Sequence, residues 1–313
     1  MQILAELETR FGRRLPPESL ADRLTPAWIA QAMNLEGAAD EASHLAFLQP
    51  LGEHPALFCV PGIEATPLTF QFIARHLVPD HRVMALQGGW AGIDGAAGRD
   101  IETLAERHMA TIRAQQPAGP YWICGYSIGA RIAFAIARRL RAGGCQVGGL
   151  IILDGPLPGG PAGWRRAAPL AAGFLRNMPN WVRDDLLPGG ARQFYRNVTR
   201  HARRLVGAGR QPAVARILDP ARLTSGELEV REARYHATRR FHVGPYPGRI
   251  HVIRARTRPL LRPLDDASLG WARVAGGGVR VHEIAGNHMT MMSRAQAPAM
   301  AAILRNILAD PEA

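Results

Sequence analysis

The chain has 313 residues, 47% hydrophobic and 20% charged, enough apolar surface for a sizeable core and too little charge for a disordered chain. All 38 basic residues are Arg, against 26 acids, and the net charge of +12 is uneven: 16 Arg and 6 acids between Gly155 and Gly248 give +10, leaving +2 elsewhere. Three scattered cysteines exclude a disulfide framework or a zinc knuckle, and without an apolar leader or a run of about 18 uncharged apolar residues the expectation is a cytoplasmic protein with no membrane partner.

Residues 1–35 read as helix, loop and short helix. Ile3, Leu4, Leu7 and Phe11 share one helical face, Leu15-Pro16-Pro17 makes a turn, and Thr25-Pro26 caps a second helix. Residues 36–43 are small and polar, a linker. From residue 44 strands and helices alternate. Strands are expected at 56–60, which is wholly apolar, and at 82–87, 121–124, 148–153, 250–255 and 279–285, and helices at 101–115, 128–141 and about 294–308. Continuous apolar strands alternating with helices predict a parallel sheet covered on both faces, an α/β fold. The basic stretch, about 155–248, interrupts this order, reads as helical throughout, and is expected to lie over one sheet edge as a lid.

Gly125-Tyr126-Ser127-Ile128-Gly129 matches the nucleophile-elbow pattern. With six serines in the chain, chance yields about 0.06 such matches. A strand ends at Cys124 and a helix starts at Ile128, the context an elbow requires, with Gly125 and Gly129 leaving room for the turn. A serine nucleophile needs a base and an orienting acid. Most of the eleven histidines fall inside strand or helix patterns, but His288 follows the last strand, where a loop leaves the edge that carries Ser127. For the acid, Asp154 ends the strand after the elbow helix. Asp265 and Asp266, which follow the next strand at a distance and sit between basic residues, are expected to form a salt-bridged loop pair. Backbone N–H groups of Ile128 and of Ile63, in the loop after the first apolar strand, are the candidate oxyanion donors.

On these residues the chain, from 44 to the end, resembles the releasing thioesterase domains of nonribosomal peptide and polyketide synthases. The stretch from Leu57 to Gly62, Val83 to Gln87, the elbow, Leu153-Asp154, Pro245-Tyr246-Pro247-Gly248 and Gly286-Asn287-His288 carry the likeness. Two departures stand out. Such domains usually have His-Pro where this chain has Pro61-Gly62, and Ile63-Glu64-Ala65 is closer to the matching loop of fatty-acid-synthase thioesterases. Residues 1–35, through Leu7 to Pro16, resemble the second half of a peptidyl or acyl carrier domain, which implies that its phosphopantetheine-bearing Ser lies before residue 1.

The resemblance implies an α/β-hydrolase fold with a helical lid and a chain-releasing thioesterase that takes an acyl or peptidyl chain from carrier-bound phosphopantetheine onto Ser127. It implies no resident cofactor, no metal, and a carrier domain of the same megasynthase as partner. A stand-alone editing thioesterase or small-molecule esterase is the alternative enzyme, and a non-catalytic acyl-carrier binding module the alternative of another class. With 6% aromatics and no recognition motif, a nucleic-acid partner is not expected. In the basic stretch, Arg196, Arg200 and Arg203 recur at helical spacing and form either a solvated face or a docking surface for an acidic carrier.

Overall fold

A computed structural model describes residues 45–64, 66–88, 90, 100–157, 177–180, 182–186, 214, 225–258 and 266–309. Among them seven strands form one sheet: β1 (Leu45–Gln49), β2 (His54–Val60), β3 (His81–Leu86), β4 (Tyr121–Tyr126), β5 (Val147–Leu153), β6 (Ile250–Ala255) and β7 (Val279–Ile284). The order is β1-β3-β2-β4-β5-β6-β7. Every pairing is parallel except β1 with β3, where Leu45 lies opposite Leu86. Helices α1 (Gln71–Arg75), α2 (Asp100–Gln115), α3 (Gly129–Ala142), α4 (Ser225–Arg240) and α5 (Ala297–Leu308) surround it.

The continuous apolar strands follow from cover on both faces. Along β2, Leu57 and Cys59 join one core with Ile73 of α1 and Met300, Leu304 and Ile307 of α5. Phe58 and Val60 point the other way, to Ile101, Leu104 and Ile112 of α2 and Phe134 and Ile136 of α3. A period of two distributes neighbouring residues between two cores, so neither face tolerates polarity. Glu102 of α2 bridges Arg138 and Arg139 of α3 and ties the two helices on one face together.

All six strands expected from the sequence form, and β1 adds an antiparallel edge that the apolar-run criterion did not pick out. The last helix starts at Ala297, three residues after its expected start, because a 3-10 turn at Thr290–Met292 and a further turn come first. The basic stretch is not helical throughout. Helix α4 fits that reading, but 241–249 is not helical: Pro245 and Pro247 break the pattern, and Tyr246 is fully buried in a bridge to Ala275. Residues 1–35, the 36–43 linker, most of the 155–248 segment with Arg196, Arg200 and Arg203, and Asp265 lie outside the described residues.

Candidate active site

In a parallel sheet the loops at the carboxyl ends of the strands gather along one edge. Ile63 follows β2, Ser127 follows β4, Asp154 follows β5 and His288 follows β7, so all four reach that one edge, the first three from adjacent strands and His288 from beyond β6.

Ser127 has φ of 55°, a left-handed conformation that a non-glycine residue rarely adopts. Its N–H donates to Leu153 O of β5 (3.0 Å), and its C=O accepts from Ala130 N of α3 (3.2 Å), so the adjacent strand and the following helix hold the turn. The turn fits only because Gly125 and Gly129 lack side chains. A Cβ on Gly125 would sit 2.6 Å from Ala133 Cβ, and one on Gly129 would collide with the carbonyls of Val60 and Pro61.

The structure brings Ser127, His288 and Asp154 into one line. His288 Nδ1 lies 2.8 Å from Asp154 Oδ2, and His288 Nε2 lies 3.0 Å from Ser127 Oγ. With Nδ1–H donating to the carboxylate, Nε2 is left to accept from the serine hydroxyl, the tautomer a general base needs. Asp154 is 8% exposed. Burial alone would raise its pKa. The hydrogen bond from His288, the Arg258 guanidinium 3.5 Å away and the Ala255 amide at 3.1 Å outweigh that and hold it below the usual carboxylate range. Asp154 therefore stays ionised at neutral pH.

Asp266, the described member of the Asp265–Asp266 pair, holds a turn. Its Oδ1 accepts from the Ser268 amide (2.8 Å) and hydroxyl (2.6 Å), and its Oδ2 from the Gly270 amide (2.9 Å). Among the described residues it serves as a turn-holding carboxylate, with the Ser268 amide and hydroxyl on one oxygen and the Gly270 amide on the other.

Ile63 and Ile128 flank Ser127, and among the described residues neither amide donates to another protein group. Their side chains pack together with Val214, Leu228 and Tyr235, so the segment between β5 and β6 contributes apolar cover over both loops. Gly62 lets the first loop come close: a Cβ there would lie 3.1 Å from the Tyr126 ring and 3.3 Å from Ser127 Cβ.

Three residues at the site escaped the sequence reading. Tyr126 donates its hydroxyl to His288 O (2.7 Å) and stacks its ring on the imidazole at 5.0 Å. Burial, reinforced by Asp154, pushes the phenol far above its usual range, so it remains a donor. Its place inside the elbow, between Gly125 and Ser127, was an available signal. Arg258 and Asp184 left none, since both approach the site from far along the chain.

The thioesterase domain family matches residues 55–309 of this chain. Enterobactin synthase component F of Escherichia coli O157:H7 is 32% identical over 158 residues, 49% of this chain and 12% of that protein. Chondramide synthase of Chondromyces crocatus is 26% identical over 321 aligned positions, covering 97% of this chain and 8% of that protein. The chain thus spans about a tenth of the length of these curated relatives. Among solved structures, the NocB thioesterase domain in covalent complex with a fluorophosphonate nocardicin G analogue superposes with a TM-score of 0.57 at 22% identity, covering 85% of this chain and 100% of that one. That likeness assigns the sheet and its helices to the α/β-hydrolase fold. Since the matched span runs from β2 to the end of α5 and takes in Ser127, Asp154 and His288, the chain belongs to the thioesterase domain family.

Proposed function

We propose that this domain releases an acyl or peptidyl chain from the phosphopantetheine arm of a carrier domain, with Ser127 as nucleophile, His288 as general base and acid, and Asp154 as the orienting carboxylate. The observation that carries the reading is the line from Ser127 Oγ to His288 (3.0 Å) and on to Asp154 (2.8 Å) in a chain of a thioesterase family.

Ser127 Oγ attacks the thioester carbonyl while His288 Nε2 takes its proton. The tetrahedral oxyanion is held by the Ile63 and Ile128 amides, and Asp154 stabilises the imidazolium. Collapse breaks the C–S bond, and His288 returns the proton to the departing pantetheine sulfur. The resulting ester on Ser127 is opened by water or by a nucleophile on the chain itself, again deprotonated by His288. Two moderate barriers replace one high one.

Relatives that are peptide synthases many times longer than this chain support a carrier domain of a megasynthase as partner. On this reading residues 1–35 are the end of a carrier domain, 36–43 a linker, 44–313 the thioesterase domain, about 155–248 its lid, and Arg196, Arg200 and Arg203 a docking face for the carrier. Three unpaired cysteines suit a reducing cytoplasm, and among the described residues no helix is long and apolar enough to cross a membrane. No bound cofactor enters the mechanism.

A serine-directed fluorophosphonate should add one adduct to the intact chain, mapped by mass spectrometry to Ser127, and Ser127→Ala should abolish both labelling and release of an acyl group from a pantetheine thioester. An adduct on Cys59 or Cys124, or release by the Ser127→Ala variant, would overturn the assignment.

A further inference from the structure

The segment between β5 and β6 meets the sheet edge again at a short π-helical turn, Val182–Leu186, which the mechanism above does not use. Turns of this kind often mark functional positions. The Asp184 side chain is 7% exposed there, and its carboxylate accepts four hydrogen bonds. Arg256 supplies two, at 2.7 and 3.2 Å, the Thr257 hydroxyl one at 2.7 Å, and the Gly286 amide one at 3.2 Å. Asn177, a few residues earlier, exchanges two more with the backbone of Arg258, at 2.6 and 3.1 Å.

Both ends of this clasp lead to the site. Arg258 is the cation beside Asp154. Gly286 opens the loop that presents His288 two residues later. That loop is stiff beyond the glycine: Asn287 Oδ1 accepts from the amides of Met289 and Thr290 (both 2.9 Å), and Thr290 Oγ1 accepts from Asn287 N (2.8 Å). Gly286 itself has φ of 95° and no room for a side chain, since a Cβ would meet Thr290 Oγ1 at 2.5 Å. The loop therefore moves as a unit, and its direction is set where it leaves β7. There Thr257 N donates to Gly286 O (3.0 Å), and Asp184 receives Gly286 N. We infer that Asp184 is a positioning residue: a carboxylate from the insertion that aims the His288 loop at Ser127 and, with Asn177, steadies the strand end bearing Arg258.

The inference rests on His288 being the base. Supporting loops of this kind matter because a shift of about 1 Å at the reacting groups costs on the order of a hundredfold in rate.

The test uses the full chain. Asp184→Ala and Asp184→Asn are compared with Glu283→Gln, which breaks the exposed Arg254–Glu283 pair (2.8 Å) on the same two strands. Steady-state turnover of a small soluble thioester, the rate of fluorophosphonate labelling and the low-field proton NMR signal of the His288–Asp154 hydrogen bond are read alongside thermal melting. Asp184→Ala should lower kcat by up to about a hundredfold with KM within about threefold, slow labelling in parallel, and shift or broaden the low-field signal. Asp184→Asn keeps an acceptor for Gly286 and should fall between. Glu283→Gln should change none of the three readouts.

Unchanged kcat, labelling and signal in a folded Asp184→Ala, or the same losses in Glu283→Gln, would overturn the inference. Should the Ala variant not fold, the Asn variant decides on the same readouts. An inactive Ser127→Ala beside fully active Asp184 variants would sink this inference alone, whereas an active Ser127→Ala would sink the serine mechanism beneath it.

Discussion

Asp154 meets conflicting demands at a single position. It adopts a positive φ of 45° directly after β5, is buried, and must keep a negative charge beside His288. The Arg258 guanidinium and the Ala255 amide are what keep that charge affordable, so its function depends on β6 as much as on its own strand. Asp154→Asn preserves shape but offers Nδ1 an amide, which favours the wrong tautomer. We expect kcat to fall by about three to four orders of magnitude, the cost seen for such a change in serine triads. Asp266→Asn breaks turn hydrogen bonds that no proton-transfer group shares. It should leave kcat unchanged while lowering stability by about 1–2 kcal/mol. Steady-state kinetics and thermal melts of the two variants check both, and the reverse pattern would place the orienting acid after β6.

At the scale of elements, the site was readable where its residues sit at strand ends. An apolar run that stops at a lone Ser or Asp announces both the strand and the edge to which the residue belongs, and His288 was separated from the other histidines by following the last strand on that edge, so the three could be picked out without contacts. Strand β1 could not, because Leu45–Gln49 is a short edge strand with a register shift between Phe47 and Gln49 and only partial burial. Asp184 was invisible for another reason: its partners lie 72 and 102 residues away, and a five-residue π turn has no amphipathic period. The elbow is the element most constrained by packing. Gly129→Ala would push its Cβ into the Val60 and Pro61 carbonyls, separating α3 from the loop that holds Ile63. That should cost about 1–3 kcal/mol of stability through overpacking and lower kcat as well. Gly226→Ala, on α4 where no described neighbour lies within 4 Å of the added Cβ, should keep full activity and gain up to about 1 kcal/mol from helix propensity. Equal effects of the two substitutions would show that the elbow is not the tight element described here.

At the scale of the whole molecule, five shifted groups set one direction for stability against pH. Asp154, Asp184 and Asp266 are held below the usual carboxylate range, each by hydrogen bonds and cations that outweigh burial. Their contribution is complete above the unfolded value of about 3.9 and is lost as pH falls through their folded values. His81 is lowered first by burial, with His54 and Arg305 adding to the shift and the Pro55 carbonyl and Asp80 opposing it. Burial also lowers His282, helped by Arg280, where the ring stacks on His251. For these two the unfolded chain takes up protons first, near pH 6.5, so stability already declines as pH falls below about 7. A net charge of +12 before any histidine is protonated adds self-repulsion in the same direction. The melting temperature should therefore drop from pH 7.5 to 5.5 at constant ionic strength, and fall again as the carboxylates titrate near pH 4. His282→Gln should flatten the first step and leave the second in place. Added salt should raise the melting temperature more at pH 5.5 than at pH 7.5, because screening acts on the charge gained. A melting temperature that held level or rose between pH 7.5 and 5.5 would mean that His81 and His282 are matched by groups whose folded pKa is raised, and the assigned direction would be wrong.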